Sequence, residues 1–509
     1  MTFESILFPN GAGRTNGERP PDFLADLNLD QIIAAIIAGK EEYDLRPFFH
    51  MPLHDVDAVL FRHEVSRDLE EPGRMNLVRT FAQNMRAMRD CLAQAGKRYN
   101  PYQQMHWFLD AVDLYGEAIT HLAGDLAAAR CQSRGLLAFQ DYVTQYAASE
   151  HFILLLEQTR ALAAELSTIR YNVLIEGLRI EIRDYKGEPD YSAEIEAVFA
   201  RFKESETKTY NFEFSEAPDL DNVEGNILKL VAGLHRDTFA RLEAYCAANR
   251  EFPDAAIVAF DREIQFYIAC SDYIAALKRA GLSFCYPSVS SERKDIRVRA
   301  GFDLALAGKL ARGGAVPVCN DFHLTGPERM IVVSGPNQGG KTTFARTFGQ
   351  LHYLASLGCA VPAAEAQLYL PDRLFTHFER EEHMANLRGK LQDDLIRIHD
   401  IMEKATPSSI IVINEIFAST TLKDALSLSR KIAAKIMDLD LLCVWVTFIE
   451  EIASLGEKTV SMVSMVVPEN PELRTFKILR RPADGLAYAM SIAAKYRLTY
   501  DQIKRRIRP

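Results

Sequence analysis

Eight consecutive residues, Gly335-Pro336-Asn337-Gln338-Gly339-Gly340-Lys341-Thr342, constrain this chain more tightly than any other stretch. They satisfy GxxxxGK[ST], follow the apolar run Met330-Ile331-Val332-Val333-Ser334 and lead into a helix-compatible segment at 343–354. A buried strand, a glycine loop and a helix in that order open an α/β nucleotide-binding domain. The glycines let the backbone wrap closely enough for its N–H groups to face phosphate oxygens. The helix that follows presents its positive N-terminus to the same anion. The spacing predicts a nucleotide cradle over Gly335, Pro336, Asn337, Gln338, Gly339, Gly340, Lys341, Thr342 and Thr343. Lys341 would reach the β- and γ-phosphates of ATP, and the Thr342 hydroxyl would ligate Mg²⁺.

A second element is expected on a neighbouring strand, where an apolar run ends in acidic residues. Ile410-Ile411-Val412-Ile413-Asn414-Glu415 fits. Asn414 stands where an aspartate near the metal is usual; its amide oxygen accepts from metal-bound water without bringing charge, so Mg²⁺ is held less firmly. Glu415 is placed to polarise the attacking water, with Asn337 nearby.

Around these motifs the grammar is α/β. Apolar runs at 409–413, 441–446 and 460–467 join 330–334 as strands buried on both faces of a sheet with parallel members. Upstream the chain reads differently. Residues 29–169 are helical, with Phe108, Val112, Tyr115, Ile119 and Leu122 on one face; a second run, 133–169, reads as one long helix. Leu178, Ile180 and Ile182, then Tyr210, Phe212 and Phe214, alternate as two short strands flanking a helix at 191–203, a small α/β insertion. Helical character returns over 222–280. The expected division is a flexible lead-in over 1–25, a helical core and lever over 26–289 carrying the insertion at about 175–216, and an ATPase domain over 290–509.

Net charge is −10, from 59 Lys and Arg against 69 Asp and Glu, so composition gives DNA binding no support. No apolar run is long enough for a bilayer span, and residues 1–10 lack a secretory pattern. Eight scattered cysteines without a CxxC pair suit reduced thiols, so the expected setting is cytoplasmic, without a membrane. His50 and His54 bracket Pro52, and His63-Glu64 lacks a second histidine, so histidine metal binding is not expected.

With both motifs in order, the C-terminal half resembles the ATPase domain of the MutS mismatch-repair family. The likeness rests on the GPNxGGK form of the loop, Val361-Pro362-Ala363, Asp372-Arg373-Leu374-Phe375-Thr376, and Asn414-Glu415 leading to Asp424-Ala425-Leu426-Ser427-Leu428. Upstream, Leu53-His54-Asp55-Val56-Asp57, Arg62-His63-Glu64-Val65 and Phe260-Asp261-Arg262-Glu263-Ile264 are similar to that family's core and returning lever. The resemblance covers roughly residues 25–509. It implies an all-α core and lever with a clamp-like insertion, followed by an ABC-type P-loop ATPase domain ending in a helical dimerisation element at 484–507.

The resemblance also implies a homodimer that uses ATP and Mg²⁺ to switch a clamp on DNA, in repair or recombination. Ser419, Thr420 and Thr421 of one subunit would reach the partner's γ-phosphate, and Asp394 would couple nucleotide to clamp. Several positions depart from the pattern. Phe448 follows Thr447 where a histidine is usual, and Val318 stands where an aromatic residue would sandwich the adenine. There is no room before residue 25 for the mismatch-reading domain; Phe202-Lys203-Glu204 and Phe214-Ser215-Glu216 match its tripeptide only by coincidence. The rival expectation is a nucleotide-gated interaction or scaffold protein with weak or lost hydrolysis.

Overall fold

The structure, a computed structural model, describes residues 3–9, 21–176, 179–187, 218–379, 389–467, 470–483 and 498–506. Its chain divides into two compact units: residues 1–3, 73–130 and 139–261, and residues 4–72, 131–138 and 262–509.

The first unit is helical. Tyr115, Ile119 and Leu122 of Pro101–Ala128 are buried along one face, as their spacing predicts. Phe152 and Leu155 from Glu150–Thr168, and Leu242 and Tyr245 from Arg236–Ala248, are buried in the same unit. The single long helix expected over 133–169 is two, Arg134–Ala147 and Glu150–Thr168. Ser149 takes extended geometry between them, and its side chain accepts from the Phe152 amide, the arrangement that starts a new helix. Strand β1 (Tyr171–Glu176) pairs antiparallel with β2 (Arg179–Asp184), so the insertion opens on a hairpin. The helix expected at 191–203, the strand at 210–214 and both Phe-x-Glu tripeptides lie outside the described residues.

The second unit carries two sheets. One has four strands: β3 (Ser288–Ser290), β4 (Ile296–Gly301), β5 (Asn320–Leu324) and β7 (Glu365–Tyr369), in the order β3-β7-β4-β5. The other has six: β6 (Met330–Ser334), β8 (Leu374–His377), β9 (Ile410–Asn414), β10 (Leu442–Val446), β11 (Thr459–Val467) and β12 (Asn470–Arg480), in the order β12-β11-β6-β10-β9-β8. All pairs in the larger sheet are parallel except β11 with β12. Every residue of β6, β9 and β10 is buried, which is why those strands read as unbroken apolar runs. The strands adjoining β6 deliver its phosphate loop and the end of β9 to the same edge of the sheet.

Residues 4–72 and 131–138 group with residues 262–509 in the second unit. Residues 3–9, placed by sequence in a flexible lead-in, are packed: Ile6 and Leu7 are buried, and Ser5 and the Ile6 amide donate to the Glu263 carboxylate. Buried Arg62 donates to the carbonyls of Leu7 and Leu357, tying this segment to the end of helix Lys341–Ser356. Farther along, the Asp26 carbonyl accepts from Arg346 and its carboxylate accepts from Thr376. These buried polar ties have no hydropathic periodicity, so the segment's composition concealed them. At the C-terminus the expected helical element is described only as Tyr500–Arg506.

Candidate functional site: a nucleotide cradle at the sheet edge

β6 ends at Ser334 and the loop turns at once: Gly335 has φ 117°, Gln338 φ 59° and Gly340 φ 89°. The glycines are required by neighbours as well as by backbone. A Cβ on Gly335 would lie 3.0 Å from the Ser464 carbonyl oxygen, and one on Gly339 only 2.2 Å from Ser464 Oγ. Ser464, on β11, donates to the Gly339 carbonyl at 2.7 Å and so supports the loop from outside. Gly340 then caps Lys341–Ser356, whose first turn opens into the cavity.

Lys341 is 4% exposed, and its ammonium is folded back onto its own loop. Nζ donates to the carbonyls of Gly335 (3.0 Å) and Pro336 (3.1 Å) and to Asn337 Oδ1 (3.4 Å). The Phe448 ring lies 4.9 Å from the same nitrogen. Burial pushes the lysine's pKa down, the Glu415 carboxylate opposes that shift, and the Arg474 guanidinium adds to it. Thr342 Oγ1 donates to Asn414 Oδ1 at 2.9 Å, so the two residues assigned to the metal side are in contact.

Glu415 follows β9 with φ 54°, its amide donating to the Val446 carbonyl at 2.9 Å. Burial raises its carboxyl above the usual range, with Lys341 pulling it back and Glu379 pushing it up. Behind this turn lies Asp394, in helix Lys390–Lys404. Its carboxyl is buried, accepts the Phe417 amide and faces His377 Nε2 at 3.5 Å. Asp394 therefore stands behind the Glu415 turn.

One cavity of about 720 Å³ collects these groups. Asn337 to Phe344 and Glu415 line it together with an apolar wall of Leu306, Leu310, Val316, Pro317, Val318 and Phe476, and a Cβ on Gly340 would lie 3.7 Å from the Phe476 ring. Phe476 was not anticipated. It stands on β12, half-exposed, with φ 57°, a left-handed kink that strand periodicity does not announce. Val318 lines the same cavity as the loop. Ser419, Thr420 and Thr421 do not line this cavity. Thr421 instead caps Leu422–Asp438, accepting from the Asp424 amide.

A buried ammonium hydrogen-bonded to carbonyl oxygens of its own loop, beside glycines that exclude any side chain, suits phosphate oxygens. The oxygens of Thr342 and Asn414 suit a hard cation such as Mg²⁺, though both are neutral.

The comparisons with known proteins agree. Residues 331–503 match the model of MutS domain V. A DNA mismatch repair protein MutS of Shouchella clausii is 24% identical over 378 residues, 67% of this chain and 43% of that protein. The corresponding figures are 27% over 233 residues, 44% and 27%, for MutS of Syntrophomonas wolfei, and 26% over 289 residues, 56% and 32%, for MutS of Chlorobium phaeovibrioides. The chain thus spans less than half the length of these relatives. Residues 331–503, which include the glycine loop and Glu415, are thus similar to MutS domain V, and the chain is similar to MutS proteins over up to two thirds of its length.

Proposed function

We propose that the chain is an ATP-binding ATPase of the MutS type whose nucleotide state switches a dimeric clamp on DNA. The observation that supports it best is the single cavity joining Asn337–Thr343, Glu415 and an apolar wall containing Phe476. Phosphates would displace the loop carbonyls from Lys341, and the amides of the loop and of the first helical turn would bind them. The purine would lie between Val318 and Phe476. Thr342 and, indirectly, Asn414 would hold Mg²⁺, which would supply charge neutralisation for the phosphates. Glu415, its basicity raised by burial, would orient a water and take its proton, with Asn337 close to the γ-phosphate. Asp394 would hold the turn that carries Glu415. Ser419, Thr420 and Thr421, exposed or half-exposed, would serve a partner subunit's nucleotide.

Mg²⁺-dependent ATP turnover by the purified chain tests the first half. Absence of turnover, with Lys341→Ala binding nucleotide as well as wild type, would sink it. Gel shifts with duplex, mismatched and branched DNA, with and without ATP and across a salt series, test the second; retention must weaken as salt rises. A second reading, nucleotide gating with damped hydrolysis, is favoured by neutral Asn414 and by the Phe448 ring over Lys341. Under it, Asn414→Asp raises turnover severalfold; unchanged turnover rejects Asn414 as the limiting group.

A further inference from the structure

Phe476 owes its place to an unusual local arrangement. β11 and β12 run in register up to Ser464–Ile478, but the next pair is Val466–Arg474, so β12 carries extra residues at 475–477. Such a bulge re-aims a side chain, here through a left-handed φ of 57° that a residue with a Cβ adopts reluctantly. Thr475 braces the bulge from within, donating to the Met465 carbonyl and accepting from the Lys477 amide, and a residue outside the strand also holds it.

Asn320 does so. It opens β5 in the four-stranded sheet, its backbone paired with Gly301, while its side chain crosses to β12. Nδ2 donates to the Phe476 carbonyl at 3.2 Å and Oδ1 accepts from the Ile478 amide at 2.8 Å. The same Nδ2 lies 3.5 Å from the Val318 carbonyl. The primary amide thus grips the backbone on both sides of Lys477 as a neighbouring strand would, and reaches the Val318 carbonyl as well. Lys477 adds a parallel tie to the Cys319 carbonyl. An amide supplies a donor and an acceptor on separate atoms of one short stem.

We propose that Asn320 is the positioning residue of the base subsite: its amide locks the β12 bulge so that Phe476 faces Val318 across the slot that takes the purine ring. This rests on the nucleotide reading above and deepens it. Asn320 acts through Phe476, so its effect falls on the base and not on the phosphates.

The test is calorimetric titration of the full chain with Mg-ATP and, separately, with inorganic tripolyphosphate, which has phosphates but no base. Asn320→Ala is expected to weaken ATP about tenfold and leave tripolyphosphate within about twofold, since stacking of one base is worth roughly 1–3 kcal/mol. Asn320→Asp keeps the acceptor for Ile478 but turns an oxygen on the Phe476 carbonyl; it should fall between wild type and alanine, and it guards against a variant that fails to fold. In a Phe476→Ala background, Asn320→Ala should add little. Equal losses for ATP and tripolyphosphate, no loss for ATP, or a full further loss without Phe476 would each overturn the assignment. A wild-type chain that bound neither probe would instead overturn the nucleotide reading beneath it.

Discussion

Two parts of the cavity lining are built on opposite principles. The proposed phosphate end comes from consecutive residues, Asn337 to Thr343, closed by Glu415 from the end of β9. The proposed base end is assembled from segments far apart in the chain: Leu306 and Leu310, then Val316 to Val318 with Asn320, and Phe476, which lies 156 positions beyond Asn320. At the first, backbone must approach an anion, and only glycines at fixed spacing permit that. At the second, a flat apolar surface suffices, and unrelated segments can supply it. The first end should therefore fail on small chemical changes, and the second should tolerate or even welcome them.

Chemistry at the phosphate end gives the largest expected effect. Glu415→Gln keeps the shape and removes the base, so ATP binding should hold while turnover falls by about 10²–10⁴. The pH profile sharpens this. Burial raises the Glu415 carboxyl, and the group must be ionised to take a proton. Wild-type turnover should therefore fall, as pH drops, through a value above the ordinary carboxylate range. Phe476→Ala, at the other end, should raise KM and leave that acid limb where it is. A limb that moved with Phe476 would mean the two ends are not separable.

Next in size is the loop backbone. A Cβ at residue 339 would sit 2.2 Å from Ser464 Oγ and 3.0 Å from the Pro336 carbonyl oxygen. Overpacking of that kind costs about 1–3 kcal/mol, roughly 5- to 150-fold in affinity if it distorts the cradle. Gly339→Ala should weaken ATP and tripolyphosphate together, the opposite of the base-end pattern. Equal binding by variant and wild type would show that the loop's shape does not govern phosphate affinity.

This contrast also explains what the sequence disclosed. The loop, the strand 410–414 and Glu415 were legible because each has a local requirement: glycine for close approach, β-branched residues for a strand covered on both faces, a carboxylate just past its end. The long helix from Pro101 was legible by its period. Phe476 was not, because its direction depends on a bulge, and the bulge depends on an asparagine in another sheet. Residues 3–9 were misjudged for a related reason. Their burial rests on Arg62 and Glu263, polar partners at long range that no local pattern reveals. Ser149 lay in plain view as a helix cap, yet the apolar period running through it suggested one helix.

The smallest expected effect is a gain. Val318 is 38% exposed and lines the same cavity as Phe476. An aliphatic side chain there offers a purine less flat surface than a ring would. If the base end is generic apolar surface, Val318→Phe should improve ATP binding by about three- to fivefold, a part of the roughly 1–3 kcal/mol that one stacked base contributes. Tripolyphosphate should not respond, and neither should turnover at saturating ATP. The gain should disappear when Asn320→Ala is added, because a second ring helps only while Phe476 is held opposite it. Should Val318→Phe weaken ATP instead, the slot is a fitted site whose width is set by valine, and the comparison between a demanding phosphate end and a tolerant base end would be wrong at its second term.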